Sequence, residues 1–301
     1  MRTMQRFLAL SRSSHSLIDI AMPCFVALLW LGHFPEWPVF GASLVAIISG
    51  YTAIYALNDL VGVKIDREKF IESGINAGYA VEASALRHPI AQDKLSFSWG
   101  LAWFGMWYCL TLIAAWWLNP LLVLIVLVAS ALEVVYCLLL QVTYWRILLS
   151  GLVKSAGPIA AVFVVVPKPS LAGLGLLLMW VISWEIGGQN IPADWNDVEE
   201  DRRVHGRTIP LVFGPKLAGI IVFTALLFTV VLGLFLPFFS PLYLGWPYQC
   251  LSMGAGIFLL LVPGFHLFKT GDGLQASRLF DRASFYPVAM LAIIMLFVFA
   301  Q

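Results

Sequence analysis

Charge is scarce in this chain. Only 12% of its 301 residues are Asp, Glu, Lys or Arg, and 60% are hydrophobic, whereas an average soluble domain is roughly 25% charged. That imbalance excludes a water-soluble globular domain and a disordered polar chain. Cysteine is also sparse, and Cys24, Cys109, Cys137 and Cys250 all stand in apolar stretches with no pair at metal-ligand or redox spacing. A thiolate metal centre and a dithiol redox site are therefore excluded, and the four read as packing residues. There is no basic tract with interleaved aromatics, so nucleic acid is not an expected partner. The longest polar segment is residues 59–94, too short for a separate soluble domain.

What is present in abundance is apolar sequence in runs of about 20 residues, the length that crosses a bilayer. Such runs are read at 16–35, 38–59, 95–118, 119–141, 147–167, 170–193, 216–239, 244–268 and 283–300. The pattern predicts an all-α, multi-pass integral membrane protein of nine transmembrane helices in a single domain. Phe7 to Leu10 is too short for the apolar core of a cleaved signal, so the first span is expected to be retained. Cytoplasmic loops carry the excess of Lys and Arg. With the N-terminus (Arg2, Arg6, Arg12) inside, the inside loops collect Lys64, Arg67, Lys69, Arg87 and Lys94, then Arg146, then Arg202, Arg203, Arg207 and Lys216, then Lys269, Arg278 and Arg282. Lys154 and Lys168 alone fall elsewhere. A cytoplasmic N-terminus follows, and the expected location is a cell inner membrane.

The few acidic residues are concentrated. One cluster reads Asn58-Asp59-Leu-Val-Gly62-Val-Lys64-Ile-Asp66, the other Asp194-Trp-Asn196-Asp197-Val-Glu199-Glu200-Asp201. Each closes an even-numbered span on the expected cytoplasmic side, and four helices separate them, which predicts an internal four-helix repeat. Carboxylates beside hydrocarbon are costly and mark a functional site. On a helix, Asp194, Asp197 and Asp201 are three and four residues apart and share a face. Asn58, Gly62 and Asp66 share a four-residue step, with Asp59 about two turns before Asp66. Two facing banks of oxygen ligands, with room for water and phosphate, suit Mg²⁺.

Metal-holding carboxylates beside Arg and Lys, at the mouth of an apolar cavity, suit a diphosphate attached to a long hydrocarbon. Each cluster is followed by a basic, Pro-containing stretch, Arg87-His88-Pro89-Ile90 and Arg207-Thr208-Ile209-Pro210, so Arg87 and Arg207 are candidate diphosphate contacts. Loss of diphosphate from an allylic carbon leaves a carbocation, which aromatic faces stabilise and dry walls protect. The 12 Trp, nine Tyr and 21 Phe can supply such walls, and they equally suit lipid-facing positions. A transporter or channel using the acidic clusters as a cation site is the reading from a different class.

The second cluster, continued through Arg202-Arg203, Gly206-Arg207-Thr208-Ile209-Pro210 and Phe213-Gly214, resembles the second aspartate motif of the UbiA superfamily of intramembrane prenyltransferases. The first resembles that family's Asn-Asp-x-x-Asp-x-x-x-Asp motif at Asn58, Asp59 and Asp66. The Arg87-His88-Pro89-Ile90 segment, with Asp93-Lys94-Leu95-Ser96, is similar to the segment that follows it in the family. The resemblance implies nine helices around a central cavity and Mg²⁺-dependent transfer of a prenyl group from a prenyl diphosphate to a hydrophobic, usually aromatic acceptor, such as a quinone precursor. It implies Asn58, Asp66, Asp197 and Asp201 as metal and diphosphate ligands, with Asp59 and Asp194 supporting, and Asp66, Asp197 and Asp201 as the catalytic carboxylates. Arg146 and Lys154 fall where the family places basic diphosphate contacts. A cyclase that captures the cation internally is an alternative within the family.

Two departures stand out. Gly62 occupies the place of the motif's middle Asp, so one expected Mg²⁺ ligand is absent. The stretch from Asp66 to Arg87 is longer than the family's, and the insert at 70–86 is expected over the cavity mouth, as a lid, an acceptor-recognition segment or a plain surface loop. Among the ionisable residues in apolar spans, Lys154 is expected to pair with Glu133 or Glu185 if it does not meet substrate. His88 and His205 read as surface loop residues.

Overall fold

The computed structural model describes residues 2–70 and 87–300, so residues 71–86, which make up almost all of the insert, lie outside the described residues. The described residues form helices and connecting turns with no strand. Among the described residues a short helix, Arg2–Leu10, precedes nine helices long and apolar enough to cross a membrane: α1 (Ser13–Leu31), α2 (Trp37–Lys69), α3 (Phe97–Leu118), α4 (Pro120–Leu138), α5 (Arg146–Val165), α6 (Leu171–Asn196), α7 (Ile209–Gly233), α8 (Gly245–Thr270) and α9 (Gly273–Phe299). The chain is a multi-pass membrane protein.

Local signals set several boundaries. Ser96, Asn119 and Ser170 are N-caps whose side chains accept from Trp99, Leu121 and Gly173 backbone N–H groups, starting α3, α4 and α6; such caps satisfy donors a helix start leaves orphaned. Gly32 and Gly271, at φ of 80° and 63°, end α1 and α8, a left-handed conformation that glycine adopts without strain. In α7 the helical path breaks at Gly214, with φ 74° and ψ 170°, just before Pro215, so Ile209–Phe213 is a short turn ahead of the membrane portion. The expected end of that span at 239 is corrected to Gly233, because a 3-10 turn, Leu236–Phe239, takes up the remainder.

Two further boundaries move by about ten residues. The second span was expected to end at 59, yet the helix runs on through Lys69, so the whole first acidic cluster rides on a helical extension. The last span starts at Gly273, because an amphipathic helix, Gly273–Ser284, precedes the wholly apolar Tyr286–Phe299.

The bundle closes as a ring. Helix α1 packs on α5 and α9, α2 runs along α3 and α4, and α4 through α9 pack each on the next in order. The main core lies among α1 and α5–α9, where Phe25, Leu29, Trp180, Trp184, Leu226 and Tyr286 are essentially inaccessible. Large apolar side chains on the outside stay bare, Trp37 at 84% and Leu171 at 85% exposure. That pattern fits a bundle solvated by lipid, whose backbone groups are satisfied within each helix.

Between the helices lies a cavity of about 510 Å³ lined from α1–α6 and α9. Its walls are mostly apolar and aromatic, with Phe40, Tyr51, Phe104 and Tyr108 among them. Asn58 and Ala193, each adjacent to an acidic residue of one cluster, line it as well. The two acidic clusters therefore stand at the same end of one cavity.

Candidate active site

The first acidic bank follows from the continuity of α2. Asn58, Asp59, Gly62 and Asp66 lie on one unbroken helix, as their spacing requires. Asp59 and Asp66 are buried, and both point to His88. The His88 Nδ1 atom lies 3.0 Å from Asp59 Oδ1 and 3.1 Å from Asp66 Oδ2. The expectation that His88 is a surface residue is thereby corrected: its side chain is only 14% exposed and faces the two carboxylates. Burial works against its positive form, but Asp66 and Asp59 outweigh that and raise its pKa to about 10. Asn58 turns the other way, toward the cavity, donating to Glu133 Oε1 at 2.6 Å and contacting Cys137 Sγ at 3.4 Å.

The second bank departs from the expected single helical face. Helix α6 contains a π-helical turn, Glu185–Asn190, an insertion of the kind that recurs at functional sites. The chain then bends at Asp197 (φ −97°, ψ 11°), which divides Ile191–Asn196 from a separate short helix, Val198–Arg203. Asp194 thus belongs to one segment and Asp201 to the next, with Asp197 at the joint. The glycines Gly187 and Gly188 are required where the π turn meets its neighbours, since a Cβ on Gly188 would stand 2.9 Å from Ala283 Cβ.

Each carboxylate of this bank has a cation. Arg146 Nη2 lies 2.7 Å from Asp194 Oδ1, with its guanidinium stacked 4.5 Å from the Tyr136 ring centroid. Lys69 Nζ lies 2.7 Å from Asp201 Oδ1. Arg87 reaches Asp197 Oδ1 at 3.0 Å through one terminal nitrogen and Glu200 Oε1 through the other. Burial pushes the Asp201 carboxyl up, opposed by Lys69 and reinforced by Asp197. Burial likewise raises Glu200, with Asp197 adding and Arg87 opposing. Lys69 and Arg87 are the physical links between the banks: one leaves the first helix to hold the second cluster, the other comes from the loop that carries His88.

The remaining expected contacts divide. Lys154 pairs with Asp19, an acidic residue other than the expected Glu133 and Glu185: its Nζ lies 2.6 Å from Asp19 Oδ2 and 3.1 Å from the Tyr55 hydroxyl. The reason is packing, because α5 lies against α1 and brings Asp19 within reach. Tyr55 also donates to Asp19 at 2.5 Å, and Ser150 takes Glu185 at 2.6 Å. Lys154 still lines the cavity, with Arg12, Asn58 and Glu133. Arg207 is exposed, and its contacts run to the α4–α5 loop, where its backbone N–H donates to Leu140 and its Nη1 to Val142 at 3.4 Å.

Lys69, Glu200 and His88 are site residues that sequence reasoning missed. A signal existed for Lys69, which stands three residues after Asp66 and so on the same helical face. Among the described residues no group of three or more His, Cys, Asp or Glu side chains forms a metal cage unaided. Asp201 Oδ1 and both oxygens of Asp59 are buried without a hydrogen bond of ordinary geometry among the described residues; Lys69 pairs with Asp201 Oδ1 and His88 with Asp59 Oδ1.

Comparison with known proteins agrees with this architecture. The fold is similar to that of a UbiA homolog from Aeropyrum pernix K1 (TM-score 0.72, 17% identity, covering 94% of this chain and 98% of that one). It is also similar to a UbiA homolog from Archaeoglobus fulgidus bound to DMAPP and Mg²⁺ (TM-score 0.69, 15% identity, 96% and 99% covered). A digeranylgeranylglyceryl phosphate synthase structure matches with TM-score 0.66 at 14% identity, over 100% of both chains. No functionally curated protein matches the sequence. The family model described as the UbiA prenyltransferase family matches residues 20–299, nearly the whole chain, and the protein belongs to that family.

Proposed function

We propose that this protein transfers a prenyl group from a prenyl diphosphate to a hydrophobic, aromatic acceptor within the membrane, with Mg²⁺ required. The observation that carries this reading is the pair of acidic banks, threaded by Arg87 and Lys69, at the end of a mostly apolar cavity of about 510 Å³. An aqueous cation pathway would not need a dry, aromatic chamber attached to its carboxylates. A long hydrocarbon with an anionic head needs both.

The second bank fits Mg²⁺. This ion takes one or two carboxylates and completes its shell with phosphate oxygens and water, so the lack of a ready-made cage is no obstacle. Asp194, Asp197 and Asp201 offer hard oxygens, and Asp197 is the most accessible, its side chain 32% exposed. Mg²⁺ held there would neutralise the diphosphate and help it leave. The chain's own cations have the complementary part: Arg87, Arg146 and Lys69, each on a carboxylate in the absence of substrate, are close enough to turn their N–H groups to diphosphate oxygens.

The cavity walls have the second part. With the head group held among the banks, the prenyl chain lies along the α2–α5 surfaces, and the Tyr55 and Tyr136 rings flank the reacting end, where a cation–π contact favours the allylic cation. Exclusion of water there keeps the cation for the acceptor. A cytoplasmic position for the banks follows from the charge asymmetry of the loops, and quinone biosynthesis is the role this reading favours.

The test is mass spectrometry of lipid extracts after the purified protein is incubated with a panel of prenyl diphosphates and aromatic acceptors, with Mg²⁺ or with chelator. A prenylated acceptor formed only with Mg²⁺ is the expected result. Diphosphate release with an internally cyclised hydrocarbon and no adduct would replace the transferase with a cyclase.

A further inference from the structure

We propose that His88, and not a metal ion, joins the two carboxylates of the first bank, so that this chain binds a single Mg²⁺, at the second bank. The inference rests on the prenyl-transfer reading above and concerns how the diphosphate charge is met.

Three observations on different residues carry it. The first is the bridge itself: one nitrogen, His88 Nδ1, is within 3.0 Å of Asp59 and 3.1 Å of Asp66. It occupies the space between the two carboxylates where an ion shared by them would stand. At the second bank Asp194, Asp197 and Asp201 are held by three different side chains, Arg146, Arg87 and Lys69.

The second observation is Gly62. A Cβ built on this glycine would lie 2.8 Å from Asp66 Oδ2, the same oxygen that His88 holds. The absent side chain and the present histidine are thus one arrangement. The Asp66 carboxylate lies over the bare helix surface at 62 as it reaches the imidazole, and a side chain at 62 would require that carboxylate to shift.

The third observation is that His88 is delivered from a fixed loop. Ile90, only 3% exposed, packs with Leu10, Ala56, Leu60 and Leu95, and Leu60 neighbours Asp59 in sequence. The Pro89 carbonyl accepts from the N–H groups of Lys94 and Leu95 at 2.9 and 3.1 Å. His88 itself has φ 51°, a left-handed conformation that histidine adopts more readily than most residues. Mg²⁺ demands near-octahedral oxygen ligands at about 2.0–2.1 Å and sheds water reluctantly. Two carboxylates already paired with one imidazole nitrogen, with no oxygen from position 62, do not meet that demand.

The experiment counts metal ions. Full-length protein in detergent is titrated with Mn²⁺, a paramagnetic stand-in for Mg²⁺, in the presence of inorganic diphosphate, and free Mn²⁺ is read by electron paramagnetic resonance. The expected result is one Mn²⁺ per chain. Asp197→Asn is expected to weaken it by about tenfold or more, and Asp59→Asn to leave it unchanged. The paired change Gly62→Asp with His88→Ala is expected to add a second ion. Two ions in the wild type would overturn the inference, as would equal weakening by Asp59→Asn and Asp197→Asn, or a paired variant that still binds one. No bound Mn²⁺ at all would overturn the prenyl-transfer reading together with it. Gel filtration and tryptophan fluorescence of each variant confirm that the protein counted is folded.

Discussion

Replacing Lys154 with Met should destabilise the bundle severely, and the structure sets the size of the effect. Lys154 Nζ is 2.6 Å from Asp19 Oδ2, with the two side chains 15% and 3% exposed. Removing one partner of a buried ion pair leaves the other charge uncompensated and costs about 3–5 kcal/mol. Asp19 keeps the Tyr55 hydroxyl at 2.5 Å and His15 at 3.6 Å, which places Lys154→Met at the lower end, about 3 kcal/mol. Adding Asp19→Asn removes the stranded charge while Tyr55 can still donate to the amide oxygen. The double variant should therefore recover about 2 kcal/mol, a coupling of the size seen for residues in direct contact. The assay is reversible unfolding in mixed micelles, followed by tryptophan fluorescence, for wild type, both single variants and the double. An unfolding midpoint for Lys154→Met equal to wild type, or additive effects in the double, would refute the reasoning and return Lys154 to the diphosphate alone.

Other expectations follow from the same geometry. Arg87→Ala cuts the bond to Asp197 and the bond to Glu200 at once; loss of charge-assisted bonds worth about 2 kcal/mol lowers kcat/KM for the prenyl diphosphate about 30-fold, measured by steady-state kinetics. Gly188→Ala forces a Cβ to within 2.9 Å of Ala283 Cβ and should destabilise by about 1–3 kcal/mol, seen as a lower unfolding midpoint. Arg207→Ala, at an exposed residue bonded to the Leu140 and Val142 carbonyls, should change stability by less than about 0.5 kcal/mol and leave turnover near wild type.

The membrane spans were legible because a bilayer imposes a length and a composition that need no tertiary context. The four-residue step through Asn58, Gly62 and Asp66 was legible for the same kind of reason, since all three stayed on one helix. The step through Asp194, Asp197 and Asp201 was not: the π turn at Glu185–Asn190 and the bend at Asp197 depend on close packing against α7 and α9, which periodicity does not register. The place of His88 is not legible in the sequence, because a loop histidine has no local signature of the partners it faces. Its place depends on Ile90 docking against Leu60, a contact between segments 30 residues apart in sequence. The Asp19 partner of Lys154 is not legible in the sequence because several carboxylates lie at suitable depth, and the packing of α5 on α1 brings Asp19 within reach. Gly62, by contrast, was conspicuous in the sequence, and the structure supplies the reason a glycine can stand there.

The most direct test of the central claim is diphosphate release by the purified protein from a prenyl diphosphate with acceptor and Mg²⁺, compared between wild type and Asp197→Asn. Asp197 is half-exposed at the joint of the second bank, so its replacement leaves the buried pairs of Asp194 and Asp201 intact. Mg²⁺-dependent release by wild type is expected, with a loss of at least about 100-fold in the variant, equivalent to roughly 2.7 kcal/mol. Release by Asp197→Asn at the wild-type rate would contradict it.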